Sequence, residues 1–301
     1  MNDVTDLNNR FGIGTQLIFE STPTGQAIAT INNEQGSASI ALQGGHLLSW
    51  VPAGAAPVIW LSPVARFAPG RSIRGGVPIC WPWFGAHSEH PDFPAHGFAR
   101  TADWDVIDST SLPDGATKIT FELNPANIPA QQWPYSSSVR YRVTVGNILT
   151  MELITRNTGQ SEITICEALH TYFAVSDVGN ITIDGLDGIH YLDKVDNMQK
   201  KQQAGAITFS SEVDRIYVDT KADCIIRDPA LSRQIRIRKT GSHSTVVWNP
   251  WIEKSMQMGD MGDNGHRQMV CVESANAAKN SITLRAGDEH RLTVSYNIET
   301  A

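Results

Sequence analysis

The chain has 301 residues and a formal net charge of −7, with 24 lysines and arginines against 31 aspartates and glutamates. Its basic residues form no block, which argues against a nucleic-acid partner and against an anionic membrane surface. A length prior of roughly 150 residues per domain suggests two domains, but all-β sandwiches of this size are common as one unit. Because the composition shows no break, we predict a single domain over residues 1–301.

The amino-terminal stretch is polar. Residues 1–10 carry acidic side chains and no apolar core, whereas a secretory signal needs such a core, and no part of the chain approaches the roughly 18 apolar residues of a membrane span. We therefore predict a flexible segment over 1–10, a cytoplasmic location and no membrane partner.

The rest of the chain has the pattern of β-strands separated by Gly, Pro, Asn and Asp. Strict alternation of apolar and polar residues predicts half-buried strands at 118–123, 139–145, 234–238 and 291–296. Less regular apolar runs fit strands covered on both faces at 17–19, 46–51, 58–61, 149–155, 163–169, 245–248, 269–272 and 282–284. No window keeps a helical period over three turns. The pattern predicts an all-β fold, a large antiparallel sandwich of two sheets.

A long segment from Arg74 to Arg100 interrupts these strands. Its prolines and the pair Gly75-Gly76 exclude a helix, and its aromatic rings are not typical of a loose linker. Irregular connections of this length are uncommon and usually functional. Since a guanidinium group matches a carboxylate or phosphate with two hydrogen bonds, we interpret the segment as a rigid, ring-lined loop that presents Arg74 and Arg100 to a small anion. The alternative is a structural lid whose rings close one end of the sandwich.

The same segment offers a second alternative, a zinc site. His87, His90 and His96 lie within ten residues of one another, and imidazoles are common zinc ligands. Their spacing is unspecific, and the residues around His87 and His90 are those of a solvated loop. The chain's glycine doublets match neither a phosphate-binding loop nor a dinucleotide fingerprint. We therefore predict no metal and no cofactor.

The chain has cysteines at positions 80, 166, 224 and 271. They form no Cys-x-x-Cys pair, and each has apolar neighbours. This pattern predicts four buried thiols.

Two titratable residues stand at the ends of apolar runs. His170 follows Glu167-Ala168-Leu169, and Glu273 follows Met269-Val270-Cys271-Val272. Each alone is more typical of a structural residue, a histidine satisfied in the core or a carboxylate that is paired or caps a turn. Two such groups that emerge from buried strands are better evidence of a site, because groups with perturbed pKa values concentrate in sites.

Six strings, all in the same order, resemble the glucose-6-phosphate 1-epimerase family, the hexose-6-phosphate mutarotases of the aldose 1-epimerase superfamily. They are Ile73-Arg74-Gly75-Gly76-Val77-Pro78, Pro82-Trp83-Phe84-Gly85, His96-Gly97-Phe98-Ala99-Arg100, Leu169-His170-Thr171-Tyr172-Phe173, Val247-Trp248-Asn249-Pro250-Trp251 and Cys271-Val272-Glu273. The resemblance runs from about residue 41 to the carboxy-terminal strands. It implies a galactose-mutarotase-like β-supersandwich, no metal, and interconversion of the α and β anomers of a hexose 6-phosphate.

The resemblance also implies roles for single residues. Glu273 is the base and His170 the acid, the first ionised and the second cationic near neutral pH. Arg74 and Arg100 hold the phosphate of a sugar phosphate substrate. The positions where the family contacts the sugar, or where a ring stacks on it, are His96, Asp214 and Trp248.

Three other functions remain open at this point. A glycosidase needs two carboxylates, for which Glu273 and Asp214 are available. A noncatalytic carbohydrate-binding module needs only a concave surface with rings and an acid. A mutarotase for unphosphorylated aldoses would not need Arg74 and Arg100. We expect a monomer or a weak homodimer.

Overall fold

The structure, a computed structural model, describes residues 3–300. Helix α1 (Val4–Phe11) is followed by a four-stranded antiparallel sheet with the strand order β1-β2-β3-β4. Its strands are β1 (Leu17–Ser21), β2 (Ala27–Asn33), β3 (Gly36–Ala41) and β4 (His46–Pro52).

Helix α1 is tied to the first strand. The side chain of Asp3 accepts a hydrogen bond from the Thr5 amide and caps the helix. Asn8 exchanges two hydrogen bonds of 2.8 Å with the backbone of Phe19, and Leu7 is buried. This arrangement differs from the flexible segment predicted for 1–10, because Val4 and Phe11 also pack against the core and join Leu7 and Asn8 in docking the helix. Residues 1–2 of that prediction lie outside the described residues.

The remaining elements are mostly strands. They are β5 (Ile79–Cys80), β6 (Trp104–Ser111), β7 (Thr117–Leu123), β8 (Ser137–Val145), β9 (Ile148–Asn157), β10 (Ile163–Ile165), β11 (Glu167–Leu169), β12 (Tyr172–Ala174), β13 (Thr182–Asp184), β14 (His190–Asp193), β15 (Gln199–Gln202), β16 (Val213–Val218), β17 (Cys224–Asp228), β18 (Arg233–Thr240), β19 (Ser244–Asn249), β20 (Met269–Asn276), β21 (Ile282–Leu284) and β22 (Glu289–Thr300). Helix α2 (Trp251–Met258) lies between β19 and β20. Single 3₁₀ turns occur at Pro125–Asn127, Val178–Asn180, Lys194–Asp196, Pro229–Leu231, Gly265–Arg267 and Ala278–Asn280.

Two eight-stranded antiparallel sheets form most of the molecule. The first, the site sheet, has the order β15-β14-β16-β19-β20-β11-β5, and β12 also pairs with β20. The second, the back sheet, has the order β13-β17-β18-β22-β9-β8-β7-β6. The predicted all-β antiparallel fold is confirmed. The sequence did not predict the separate sheet of β1 to β4 or the two-stranded pair of β10 and β21.

The strand predictions succeed where the pattern is strong. All four strictly alternating runs lie in the back sheet. The apolar runs 245–248 and 269–272 lie in β19 and β20, in which every residue is buried. The run 58–61 was wrong as a strand, since only Ile59 and Leu61 make isolated bridges, to Phe173 and Gly75. The two bridges go to different segments of the chain, so residues 58–61 form no continuous ladder with either one.

The main core lies between the two large sheets. Phe173 of the site sheet contacts Tyr296 of the back sheet with ring centroids 4.9 Å apart, and the hydroxyls of Thr171 and Tyr296 share a hydrogen bond of 2.6 Å. Both rings are fully buried. The site sheet thus turns one face to this core and has the other free for a cavity.

The segment from Arg74 to Arg100 is irregular, as predicted. Its one strand is the two-residue β5. Gly76 has a φ of +67°, and a Cβ there would lie 2.5 Å from Nε2 of the buried His46, so no larger residue fits this turn. Gly76 thereby packs closely against β4, two residues after Arg74.

Three of the four cysteines, Cys80, Cys224 and Cys271, are buried as predicted, whereas Cys166 is half-buried. All four are free thiols. Within residues 3–300 we find no helix whose length and apolar character would let it cross a membrane.

Candidate active site

A cavity of about 270 Å³ opens on the free face of the site sheet. Its lining residues are Arg74, Phe84, His96, Arg100, His170, Tyr172, Lys194, Asp214, Val246, Trp248, Lys254, Met258 and Glu273. The seven site residues predicted from the sequence are all among them. They come from positions 74 to 273 and converge only in the folded chain.

Strand register brings the floor of this cavity together. Asp214 of β16 pairs with Trp248 of β19, and Trp248 pairs with Cys271 of β20. Residues directly opposite each other in an antiparallel sheet share a face, so these three form a row. Glu273 stands two residues beyond Cys271 and therefore projects from the same face. Glu273 ends the apolar run of the sequence but lies inside β20, and the alternation of the strand places its carboxylate in the cavity.

His170 and Glu273 face each other at the bottom of the cavity. Nε2 of His170 lies 3.3 Å from Oε1 of Glu273, and their side chains are 12% and 1% exposed. His170 stands between β11 and β12, where its amide donates to the carbonyl of Pro78. Neither Nδ1 of His170 nor Oε2 of Glu273 has a hydrogen-bond partner among residues 3–300. Two buried polar atoms are therefore left for a ligand.

Burial sets the protonation of this pair. It lowers the pKa of His170 well below 6.5, and the nearby His96 and Arg100 lower it further. It raises the pKa of Glu273 well above 4.5, and Asp214 adds to that effect. Both shifts favour the uncharged forms. These directions differ from the ionised Glu273 and cationic His170 that the resemblance implies, because a fully buried pair loses more solvation than its mutual attraction restores.

Four cations line the cavity, Arg74, Arg100, Lys194 and Lys254, against the two carboxylates of Asp214 and Glu273. Lys194 forms an ion pair of 2.8 Å with Asp214. Arg100 donates from Nη2 to the carbonyl of Ala95 at 2.7 Å. Three of these cations pair with acidic side chains, and Arg100 has no ion pair within residues 3–300. The lining thus has four cations against two carboxylates although the whole chain carries −7. Such a cavity suits an anionic ligand.

Arg74 is held by two neighbours. Its Nε donates to Oδ1 of Asp260 at 3.0 Å, and its Nη1 donates to the hydroxyl of Tyr172 at 2.8 Å. The ring of Tyr172 stacks on that of His170, with centroids 5.0 Å apart and planes at 17°. The arginine predicted for anion binding is thus in contact with the ring that packs on His170.

His96 and Trp248 form part of the wall around His170. The ring of His96 meets His170 edge to face at 5.7 Å, and that of Trp248 does so at 5.9 Å. Burial and the charges of Arg100, Lys194 and Arg74 lower the pKa of His96 to about 3. His96 is therefore a neutral imidazole that can donate or accept a hydrogen bond. Burial raises the pKa of Asp214, and Lys194 opposes that shift.

The three histidines of the zinc alternative are not brought together. His87 and His90 line a larger groove of about 630 Å³ on the other side of Phe84, whereas His96 lines the smaller cavity. In the part of the chain that the structure describes, the ligand atoms of His170, Cys271 and Glu273 do lie within 4.8 Å of one another. Two of those three are the acid and base that the resemblance implies.

Sequence reasoning missed Lys194, Lys254 and the role of Tyr172. Lys194 begins a 3₁₀ turn in a polar stretch after β14 and carries no signal of its own. Lys254 lies on α2 and pairs with Glu212. Tyr172 stands inside a matched string, two residues after His170, and this spacing was the one signal available.

The chain is similar to known epimerases over most of its length. A sequence profile of the family described as "Aldose 1-epimerase" matches residues 27–297. A protein from Escherichia coli (strain K12) named "Putative glucose-6-phosphate 1-epimerase" is 39% identical over 253 residues, 84% of each chain. The crystal structure of a "putative mutarotase" from Salmonella typhimurium is 34% identical and has a TM-score of 0.88 over 95% of both chains. A galactose mutarotase-like protein from Lactobacillus casei ATCC 334, 16% identical over 90% of this chain and 100% of its own, shares the fold with a TM-score of 0.68.

Proposed function

The chain belongs to the aldose 1-epimerase family and is an isomerase, and we propose that it interconverts the α and β anomers of hexose 6-phosphates by opening and reclosing the sugar ring. The observation that carries the proposal is the buried His170–Glu273 pair in a cavity with four cations. The pair supplies acid–base chemistry, and the cations supply a place for a phosphate. The E. coli and Salmonella relatives bear names that agree with this reaction.

Ring opening needs one proton acceptor for the anomeric hydroxyl and one proton donor for the ring oxygen. His170 and Glu273 together hold one proton, either on the carboxyl group or on the imidazole, and each form offers one donor and one acceptor. A proton shift across the 3.3 Å contact exchanges the two forms. We assign the base role to Glu273 and the acid role to His170 in one direction of the reaction. Rotation about the C1–C2 bond and closure with reversed roles then yield the other anomer.

The cations give the phosphate a favourable site. Charge interactions are stronger inside a cleft than on a solvated surface. Arg74 and Arg100 each present a planar group that suits a phosphate, and we propose that they bind it. His96 and Asp214 are proposed to bind sugar hydroxyls, and the Trp248 ring is proposed to cover the apolar face of the sugar.

The other candidate functions account for fewer of these contacts. A mutarotase for free aldoses does not need four cations around its acid–base pair. A noncatalytic module does not need two uncompensated buried polar atoms, on His170 and Glu273. A glycosidase that used Asp214 with Glu273 would have to free Asp214 from Lys194.

The test follows anomer exchange by NMR with glucose 6-phosphate and, separately, with glucose. The spontaneous rate in the same buffer without protein is subtracted. We expect strong acceleration with glucose 6-phosphate and much weaker acceleration with glucose. If the protein accelerates neither sugar, the proposed reaction is wrong, and if it accelerates both equally, the phosphate specificity is wrong.

The pH dependence of kcat provides a second prediction. Activity requires one proton on the pair. It is lost at low pH when His170 takes up a second proton, and at high pH when Glu273 loses its proton. Because the pKa of His170 is shifted well below 6.5 and that of Glu273 is shifted well above 4.5, we expect the acid decline to be centred below 6.5 and the alkaline decline to be centred well above 4.5.

The profile is measured at saturating glucose 6-phosphate between about pH 5 and 9, so that kcat reports the groups of the complex. The substrate's own phosphate titrates near pH 6, and its effect on binding is removed by saturation. An acid decline centred above 6.5 would contradict the lowered pKa of His170.

A further inference from the structure

The side chain of Tyr172 is packed against three aromatic rings. Its ring is 2% exposed and lies between two others, stacked on Trp60 at 5.9 Å and 22° and on His170 at 5.0 Å and 17°. Trp248 meets its edge at 5.9 Å and 84°. The plane of the Tyr172 ring therefore determines the plane available to the His170 imidazole.

The backbone of Tyr172 is equally fixed. Its amide donates to the carbonyl of Gly76 at 3.0 Å, and its carbonyl accepts from the amide of Trp60 at 2.9 Å. In the site sheet it pairs with Cys271. With its backbone fixed, Tyr172 meets the cations of the cavity through the hydroxyl at the far end of the ring.

That hydroxyl contacts Arg74. Nη1 of Arg74 donates to it at 2.8 Å, while Nε of Arg74 is anchored by Asp260 at 3.0 Å. Burial raises the pKa of Tyr172, so the phenol stays protonated. The third nitrogen of the guanidinium, Nη2, has no hydrogen bond to any residue in 3–300, and Arg74 lines the cavity. The two N–H groups of Nη2, with the second N–H of Nη1, are thus the donors left for a phosphate.

We propose that Tyr172 is a positioning residue that couples the phosphate-binding Arg74 to the acid–base residue His170. This inference rests on the proposed function. A phosphate on Nη2 fixes the guanidinium, the guanidinium fixes the phenol, and the stacked ring holds the imidazole against Glu273. Binding energy from the phosphate, remote from the anomeric carbon, is then used in the reaction step as well as in binding. The enzyme should then distinguish the phosphorylated sugar from the free sugar by a higher kcat as well as by tighter binding.

The test is Tyr172→Phe, which keeps the ring stack and removes only the hydroxyl. We expect kcat for glucose 6-phosphate to fall about tenfold while KM changes less than about twofold. The loss of kcat with glucose should be at least about fivefold smaller, because no phosphate is present to be coupled. A second readout is glucose exchange with added inorganic phosphate, corrected for the catalysis by phosphate alone. The wild-type enzyme should be activated and Tyr172→Phe should not.

The matched control is Tyr141→Phe, which removes another buried phenol, one that contacts Met151 in the main core away from the cavity. It should leave the ratio of the two sugars unchanged. If Tyr172→Phe does not fold, Asp260→Asn serves in its place, since Asp260 is about one-third exposed and pairs with Arg74. This variant should also lower the ratio of kcat for glucose 6-phosphate to kcat for glucose.

The possible failures are distinguishable. A wild-type protein that accelerates neither sugar overturns the proposed function and the coupling with it. A wild-type protein that accelerates glucose 6-phosphate, with Tyr172→Phe losing the same factor for both sugars or changing only KM, overturns the coupling and leaves the function intact.

Discussion

Glu273→Gln is expected to lower kcat for anomer exchange of glucose 6-phosphate by about 10² to 10⁴, the usual contribution of a general acid or base. The amide has the shape of the carboxyl group but cannot exchange a proton with the sugar. Its NH₂ group can still donate to Nε2 of a neutral His170 across the 3.3 Å contact. The variant should therefore keep the geometry of the cavity and lose only the proton transfer at position 273.

Two measurements separate loss of chemistry from loss of structure. Calorimetric titration with glucose 6-phosphate should give an affinity close to that of the wild type. The control is Glu122→Gln, the same change at a surface ion pair with Arg140 on the back sheet, which should leave kcat unaltered. Turnover near the wild-type value in Glu273→Gln would remove Glu273 from the mechanism.

Much of the fold and of the site was readable from the sequence because it depends on local pattern. Strict alternation located four of the eight strands of the back sheet, β7, β8, β18 and β22. The ordered strings located six of the seven predicted residues, and all seven, including Asp214 from a stretch outside the strings, line one cavity. Such strings are informative because some of their residues have no substitute. Gly76, for example, packs so closely on His46 that a larger residue would clash with it.

The parts that were missed depend on the folded arrangement. Arg74 and Asp260 are 186 residues apart in the chain, and nothing near either one indicates the other. Lys194 enters the cavity only because β14 and β16 pair. The protonation of His170 and Glu273 follows from their burial, which the sequence predicts only as a tendency of the flanking apolar residues. The short helix α1 was missed because two turns give too few residues for a period to be recognised.

Substitution of Arg100 has the second large expected effect. Arg100→Ala should raise KM for glucose 6-phosphate by an order of magnitude or more and change the kinetics with free glucose little. A charged hydrogen bond contributes ~1.5–3 kcal/mol, equivalent to a factor of about 10 to 150. The one hydrogen bond that Arg100 makes to the described chain goes to the Ala95 carbonyl, so most of its donors are available to a phosphate.

The comparison with Arg74 makes this prediction specific. Arg74→Ala should also raise KM, but it should lower kcat as well, because it leaves the Tyr172 hydroxyl without its donor. Arg100→Lys is the matched control: it keeps the charge, loses the planar pair of donors, and should give a KM between those of the wild type and Arg100→Ala. Equal losses with both sugars in Arg100→Ala would mean that Arg100 holds the loop in place rather than binding phosphate. A selective rise in KM for the phosphorylated sugar requires that the arginine reach the phosphate itself.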